Sequence, residues 1–187
     1  MKQNRENPFF ETYRTPFGTP PFDQIETEQY EPAFDEGIWQ LDEEVRAIAD
    51  NTELPTFENT FIALELIGKL LDKVISAFFN VLNAEADDEM MDISQRVSPK
   101  LSESSNNIYL NEQLFARVKS GYDRKDELHL PMEDARLLEK TFEAFCARGA
   151  ALGPEEKEKY RKLSSELSLL SLTFDQNALK DKNRYEL

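Results

Sequence analysis

The sequence has 187 residues, of which 22 are Lys or Arg and 37 are Asp or Glu, so its net charge is −15. This balance argues against nucleic acid and against anionic membrane surfaces as partners, because both are bound through clustered Lys and Arg. A single Cys excludes an intramolecular disulfide, and a single His excludes any metal or catalytic site that needs two.

Residues 1–26 predict an extended arm that packs on the rest of the chain. Four of the nine prolines lie in the first 21 residues, which favours turns and extended backbone. The arm has no apolar segment of the kind found in a secretory signal, so we expect a cytoplasmic protein, or a periplasmic one if a leader was removed. A solvated linker would not need its aromatic residues, which are Phe9, Phe10, Tyr13, Phe17 and Phe22.

Residues 27–187 predict a helical domain with about six helices, mostly antiparallel neighbours. No segment alternates with a period of two residues, so the predicted fold class is all-α. The first helix has Pro32 in its first turn and ends near Asn51. Its apolar residues recur at steps of four and three and share one face: Phe34, Ile38, Leu41, Val45 and Ile48.

The second helix is predicted to begin after the cap Thr56 and to be buried around most of its circumference. One apolar stripe consists of Phe57, Phe61, Leu64, Leu71, Ile75, Phe78 and Leu82. A second stripe consists of Ile62, Leu66, Leu70, Ala77 and Val81.

Four further helices follow. Asp87 is predicted to cap the third, in which Pro99 makes a kink or divides the helix in two, and Asn111 caps the fourth. The fifth opens at Pro131, and Arg148 and Gly149 stop it. The inward faces are predicted to be Ile93, Val97, Leu101 and Ile108 in the third helix, and Leu114, Phe115, Val118 and Tyr122 in the fourth. They are Leu138, Phe142, Phe145 and Cys146 in the fifth, and Tyr160, Leu163, Leu167, Leu170 and Phe174 in the sixth, which starts at Pro154.

The lone His129 does not predict a metal site. A zincin motif requires two His four residues apart, and a di-iron carboxylate site requires two Glu-x-x-His pairs, whereas Asp126 and His129 offer a similar spacing only once. We therefore expect His129 to lie in the loop between the fourth and fifth helices.

The candidate nucleophiles favour structural roles. Cys146 follows Phe145 on an apolar face and is predicted to be buried, whereas a reactive thiolate needs an electropositive and partly exposed setting. No G-x-S-x-G motif is present, so the serines of the last helix are expected to allow close packing or to face water. These serines are Ser164, Ser165, Ser168 and Ser171. The G-x-x-x-G stretch from Gly149 to Gly153 is expected to be a linker.

An acidic run could suggest calcium, but it lacks the alternating ligands and the central Gly of an EF-hand. Negative residues at the start of a helix are favourable because they oppose the helix dipole, and this explains the run. It consists of Glu85, Asp87, Asp88, Glu89 and Asp92. From the residues alone we therefore predict a helical domain with no catalytic residue, no metal ligand and no identifiable substrate-binding residue.

An ordered set of short segments resembles the start of bacterial peptidyl-dipeptidases, which are grouped with oligopeptidase A and thimet oligopeptidase. The segments are NPFF at residues 7–10, PPFDQI at 20–25, YEPAFDEG at 30–37, PTFENT at 55–60, ALE at 63–65, SAFF at 76–79, NIYLN at 107–111 and LFARV at 114–118. The remainder, to FDQN at residues 174–177, is similar more loosely. Residues 30–37 and 107–118 resemble the dipeptide-releasing branch more than the oligopeptidase A branch.

The resemblance implies the N-terminal helical portion of a zinc peptidase, which in this family helps to wall a channel that admits unfolded oligopeptides. The zinc ligands and catalytic residues of the family lie far downstream of this portion, so none is assigned here. The resemblance thus implies a zinc-dependent parent that releases C-terminal dipeptides, with the catalytic portion missing from an inactive chain. The alternative is a stand-alone acidic helical module that binds a protein partner.

Overall fold

The computed structural model describes residues 7–85 and 87–184, which form helices and turns without any β-strand in those ranges. A one-turn helix accompanies six longer ones, so the all-α prediction and its number of helices are confirmed. In chain order the helices are α1 (Tyr30–Ala49), α2 (Ala63–Leu66), α3 (Lys69–Glu85), α4 (Asp88–Tyr109), α5 (Glu112–Asp123), α6 (Met132–Ala147) and α7 (Pro154–Arg184).

The predicted second helix is wrong as one continuous element. Thr56 caps it as expected, since its hydroxyl accepts from the backbone N–H of Asn59 at 3.1 Å while the Asn59 side chain accepts from the N–H of Thr56 at 2.8 Å. A π-helical turn and α2 follow, and the backbone then leaves the helix at Ile67 with ψ 163°. Gly68 has a φ of +77°, a conformation that glycine adopts without a steric penalty, and α3 starts directly after it.

Burial around α2 and α3 is also less complete than predicted. The first stripe supplies buried Phe57, Phe61, Leu71 and Phe78. In the second stripe Leu66 is 52% exposed, because it lies next to the break at Gly68 and outside the longer helix.

The other predicted helix ends agree with the structure. Asp87 accepts from the N–H of Met90 at 2.8 Å, and Asn111 accepts from the N–H of Leu114 at 2.9 Å. α6 ends in a Schellman-type turn at Gly149, whose φ is +87°. α4 runs through Pro99 as a single helix, so the alternative of two shorter helices is wrong.

The chain divides into two compact units. The first contains Met1–Gln40, Gly68–Leu101 and Glu166–Leu187, and the second contains Leu41–Ile67 and Ser102–Ser165. Residues 1–6 of the predicted arm and the last three residues lie outside the described ranges. The boundary between an arm over residues 1–26 and a helical domain over residues 27–187 stays a prediction.

The core of the first unit is aromatic. The rings of Phe9 and Phe34 contact those of Tyr30 and Phe78, with centroid separations of 5.3 Å for Phe9–Tyr30, 5.0 Å for Tyr30–Phe78 and 5.3 Å for Phe34–Phe78. Local turn residues place Phe9, because the Asn7 side chain accepts from its N–H at 3.0 Å and donates to the carbonyl of Gln29 at 2.8 Å. The first aromatic residue of the arm is therefore part of the core.

Ion pairs join α1 to α4 within the first unit. Arg96 contacts Glu31 at 2.9 Å, and Lys100 contacts Asp35 at 2.5 Å, so the paired residues advance in the same direction along both helices. The Arg96 hydrogen bond is the main reason that the pKa of Glu31 lies below its ordinary value. Such exposed pairs contribute little to stability because water and salt screen them, so their main effect is on the register of the two helices.

An aromatic cluster of the second unit lies between α5 and α6, which run antiparallel. Tyr122 stacks on Phe142 with a centroid separation of 3.9 Å, and at the other end Phe115 lies 6.2 Å from Phe145. Tyr109 at the end of α4 completes the cluster, 5.1 Å from Phe145.

The inward face predicted for α7 is wrong. Its apolar stripe faces solvent, with Leu163 65%, Leu167 64%, Leu170 68% and Phe174 72% exposed. Among the α7 side chains that the structure describes, those of Lys157, Leu172 and Gln176 are buried. Helical periodicity correctly placed these apolar side chains on one face of α7. It could not predict that the opposite face, which carries Gln176, would be the buried one.

Candidate functional site

The residues that the sequence singled out for metal or acid–base chemistry are dispersed. His129 is exposed in the turn that follows α5, as predicted, with a φ of +47°. Across residues 7–85 and 87–184, no group of three or more His, Cys, Asp or Glu side chains is placed to hold a metal ion. The donor set therefore does not fit a zinc site in this part of the chain, and no step through zinc is assigned to these residues.

Cys146 is exposed, which contradicts the prediction that it is buried. The inward face of α6 is occupied by Leu138 and Phe145, which are both buried. Cys146 is one residue further on, and a rotation of about 100° per residue turns its side chain away from that face.

The serines of α7 take structural roles, as expected. Ser164 accepts a hydrogen bond at 2.9 Å from Asn106, and Ser168 donates one at 3.5 Å to the carbonyl of Ser98. Ser171 faces water. The stretch from Gly149 to Gly153 is the turn between α6 and α7, which agrees with its interpretation as a linker.

The acidic run lies at the start of α4. Asp87 is the capping residue, and Asp88 and Glu89 occupy the first helical turn, where negative charge opposes the helix dipole. The side chain of Glu85 lies outside the described part of the chain.

Lys73 holds the segment from Phe9 to Tyr13, a role that the sequence analysis missed. Its Nζ donates to the carbonyls of Phe9 at 2.8 Å and Glu11 at 2.6 Å, and it lies 3.7 Å from the centroid of the Tyr13 ring. Burial lowers the pKa of Lys73 and raises that of Tyr13 to about 12. A cavity of about 410 Å³ lies beside Tyr13, lined by Pro8, Glu11, Thr12, Arg14, Thr15, Pro21 and Gln24.

Arg117 is a buried anchor of the second unit and was noticed in the sequence only as part of the LFARV segment. Its guanidinium donates to the carbonyls of Asn51 at 2.5 Å and Glu53 at 3.0 Å, and to the Asn59 side chain at 3.0 Å. These bonds tie the loop after α1 to α5. Arg117 is therefore assigned a structural role, since its acceptors belong to that loop and to the helical turn that follows it.

The candidate functional site is the outward face of α7, which we define as Leu167, Leu170 and Phe174 in the first unit. These side chains follow one another at steps of three and four residues and are all more than 60% exposed. Leu163, one turn earlier and within the second unit, continues the same spacing. Other strongly exposed apolar residues, such as Phe17, Leu54 and Met132, lie on separate segments.

The orientation of α7 in the first unit is fixed by polar contacts on its inward face. The buried Gln176 side chain donates to the hydroxyl of Ser94 at 3.0 Å and to the carbonyl of Met91 at 3.4 Å. Its oxygen accepts from Gln95 at 3.2 Å. Buried amide groups lose free energy when they lack such partners, so these bonds hold the polar face of the helix against α4.

In the second unit the first turns of α7 are held in a similar way. Lys157 is buried, and its Nζ lies 3.3 Å from a carboxylate oxygen of Glu112 and 3.4 Å from the carbonyl of Leu110. Arg161 donates to Asn107 at 3.1 Å. In each unit, considered by itself, α7 therefore packs through polar side chains.

The chain is similar over most of its length to known peptidases. It is 41% identical over 173 residues to the dipeptidyl carboxypeptidase of Escherichia coli strain K12, a match that covers 92% of this chain and 25% of that protein. It is 38% identical to the dipeptidyl carboxypeptidase of Salmonella typhimurium, with the same two coverages of 92% and 25%. Identity to the oligopeptidase A of E. coli is 23% over 165 residues, or 88% of this chain.

These relationships confirm the resemblance found in the sequence, including the greater similarity to the dipeptide-releasing branch. No family model matches the chain. It spans about a quarter of the length of the curated relatives. Among the described helices, none combines the length and apolarity that crossing a bilayer requires.

Proposed function

Because the chain is related over 92% of its length to dipeptidyl carboxypeptidases, we propose that it is the N-terminal, channel-wall helical domain of a zinc-dependent peptidyl-dipeptidase. The parent enzyme would release C-terminal dipeptides from short oligopeptides. The observation that carries this proposal is the 41% identity to the E. coli enzyme.

In this proposal the chain alone does not cleave peptides. Its single His and the scattered carboxylates of the described residues supply no metal-binding group. Zinc and the catalytic groups would belong to the missing catalytic portion, which is the main partner of this chain. Oligopeptides are the substrate of the parent, and neither nucleic acid nor a membrane is a partner. The location is cytoplasmic, or periplasmic if a leader was removed.

The residues described here would contribute a scaffold. Arg117 and Lys73 donate to backbone carbonyls far away in sequence, which holds loops against helices without using a catalytic group. As part of a channel wall in the parent, these helices would limit the size of a peptide that reaches the catalytic groups. They would contribute selectivity through exclusion, since an unfolded oligopeptide passes where a folded protein does not.

The second candidate function is a stand-alone acidic helical module that binds a protein partner. The exposed apolar face of α7 favours it, because neighbouring exposed apolar side chains on one helix often mark an interaction site.

A chimera distinguishes these functions. This chain would replace the matched 25% of the E. coli dipeptidyl carboxypeptidase, and dipeptide release from an oligopeptide would be followed by mass spectrometry. We expect the chimera to release dipeptides, and the isolated chain and the E. coli enzyme lacking its matched quarter to release none. Cleavage by the purified isolated chain, or a folded chimera without activity, would contradict the proposal.

A further inference from the structure

We propose that the outward face of α7 docks against the part of the parent peptidase that lies outside this sequence. The inference rests on the proposed function, because it requires such a parent. It goes further by assigning the contact to three side chains, Leu167, Leu170 and Phe174.

The first argument is that α7 cannot simply rotate to bury these side chains. Leu172 is buried, and it lies two residues from both Leu170 and Phe174, or roughly 160° around the helix from each. Turning the outward face inward would expose Leu172 and would break the bonds from Gln176 to Ser94 and Met91. The polar inward face and the apolar outward face therefore belong to one stable arrangement.

The second argument concerns the chemistry of the exposed face. Burying a Leu or Phe side chain that is now in water stabilises a protein by about 1.5–3 kcal/mol, so three neighbouring exposed side chains represent a large unused contribution. Their spacing of three and four residues places them along one line of the helix, which suits an apolar groove or another helix. Asp181 continues this line beyond Phe174, and an exposed charge there ends the apolar patch.

The third argument identifies the occupant. The chain covers 25% of the E. coli and Salmonella relatives, so about three quarters of a protein of that length is available to cover the face. A second copy of the chain fits less well. Three side chains offer on the order of 300 Å² of apolar area, well below the roughly 800 Å² that one partner gives to a stable interface.

Within one polypeptide a small patch is sufficient, because covalent connection gives the two surfaces a high effective concentration. The same patch is too short for a coiled coil between two copies, which needs apolar positions over at least three heptads. Both considerations favour docking against the remainder of the parent.

The test compares side-chain exposure in the isolated chain and in the chimera with the E. coli enzyme. Hydroxyl-radical oxidation of Leu167, Leu170 and Phe174 would be measured by mass spectrometry. We expect their oxidation rates to fall at least fivefold in the chimera, since radicals react only with accessible side chains. If the chimera does not fold, the same oxidation is measured on this chain joined by a flexible Gly/Ser linker to the E. coli enzyme lacking its matched quarter, which keeps the covalent connection.

A double variant, Leu167→Lys with Leu170→Lys, supplies a second readout. In the isolated chain we expect no change in helix content or thermal midpoint, because both side chains are exposed. In the chimera we expect chymotrypsin, for which the new lysines add no cleavage site, to cleave α7 at least tenfold faster than in the unmodified chimera. The control is Leu54→Lys, which adds one charge at an exposed apolar residue away from α7 and should not accelerate cleavage of that helix.

The outcomes separate this inference from the proposed function. An active chimera in which the three side chains are oxidised as fast as in the isolated chain would overturn the docking and leave the function intact. Unchanged oxidation in the linker-joined protein would overturn it equally. A dimeric isolated chain that becomes monomeric when Leu170 is replaced by Lys would assign the face to a second copy instead. A protected face in a folded but inactive chimera would support docking while contradicting the proposed function.

Discussion

Gln176 on α7 and Ser94 on α4 form a buried hydrogen bond of 3.0 Å, although the sequence predicts that the apolar side of α7 faces inward. The same amide reaches the carbonyl of Met91. This pairing shows that α7 is oriented by its polar groups in the first unit, and it explains why the predicted apolar stripe remains in water.

Replacing Gln176 with Ala should therefore destabilise the protein. The substitution leaves Ser94 and the Met91 carbonyl with fewer partners in a buried place, which corresponds to about 1–3 kcal/mol. The urea unfolding midpoint, followed by circular dichroism, should fall. Asn177→Ala is the matched control, because that neighbour is exposed and its removal should change the midpoint little. Equal effects from both substitutions would contradict the assigned orientation.

Gly121 allows α5 to approach Phe61. A Cβ atom at this position would lie 2.4 Å from Cε2 of the Phe61 ring, which is fully buried and cannot move into solvent. We expect Gly121→Ala to destabilise, because overpacking costs about 1–3 kcal/mol and exceeds the gain of up to about 1 kcal/mol in helix propensity.

Gly153→Ala is the control for this prediction, since the nearest atom to its added methyl group would be 3.6 Å away. Thermal unfolding should show a lower midpoint for the first substitution and little change for the second. A Gly121→Ala protein as stable as the wild type would show that the ring can yield.

Arg117→Met should destabilise the second unit by about 2–4 kcal/mol, because the carbonyls of Asn51 and Glu53 lose a charged donor in partly buried hydrogen bonds. Arg117→Lys should recover only part of this loss, since an ammonium group cannot reproduce the forked geometry of the guanidinium. Arg136→Met, at an exposed position of α6, is the control. Urea unfolding measures all three, and full rescue by Lys would contradict the forked contact.

Tyr13 provides a prediction about pH. Burial, with a further contribution from Tyr30, raises the pKa of Tyr13 from 10.0 to about 12. The native state therefore keeps a proton that the unfolded chain releases, so stability should fall as the pH rises from 10 towards 12. Tyr13→Phe removes the contribution of this residue, and at pH 7 the substitution should be close to neutral because the hydroxyl is buried without a hydrogen-bond partner in the described structure.

Two measurements check this prediction. Ultraviolet titration of native protein should lose its highest-pH tyrosine component in the variant, and thermal midpoints at pH 11 should be higher for the variant than for the wild type. An unaltered titration curve would contradict the assignment of the raised pKa to Tyr13.

The exposure of Cys146 is equally direct to check. Ellman's reagent should modify the thiol of the native protein without denaturant, because the side chain is open to solvent. The chain contains one Cys, so the denatured protein defines complete modification. A thiol that reacts only after unfolding would restore the original prediction of burial.

Local features of the fold could be predicted where the responsible atoms are close in sequence. The caps at Thr56, Asp87 and Asn111 each satisfy a backbone N–H three residues later, so residue type and spacing are sufficient. Gly68 marks the break between α2 and α3 and is visible in the sequence. The break was not predicted, because the apolar periodicity continues on both sides of this glycine.

Long-range roles could not be predicted in this way. Lys73 donates to carbonyls 64 and 62 residues away, and Arg117 donates to carbonyls 66 and 64 residues away. A charged residue within a helix usually faces solvent, and nothing near it in sequence identifies a distant carbonyl as its partner. The candidate site on α7 could not be predicted for the same reason. The exposed face of this helix follows from the contacts of Gln176 with Ser94 and Met91, which are distant in sequence.

The sequence by itself determined the all-α class, most helix ends, the relationship to the peptidases and the grouping of Leu167, Leu170 and Phe174 on one face. Each of these depends on residue order or on contacts within a few residues. The tertiary structure alone decided which face of each helix is covered, as α7 and Cys146 show. The physical reason is that periodicity defines a face from neighbouring residues, whereas burial depends on a surface supplied by distant ones.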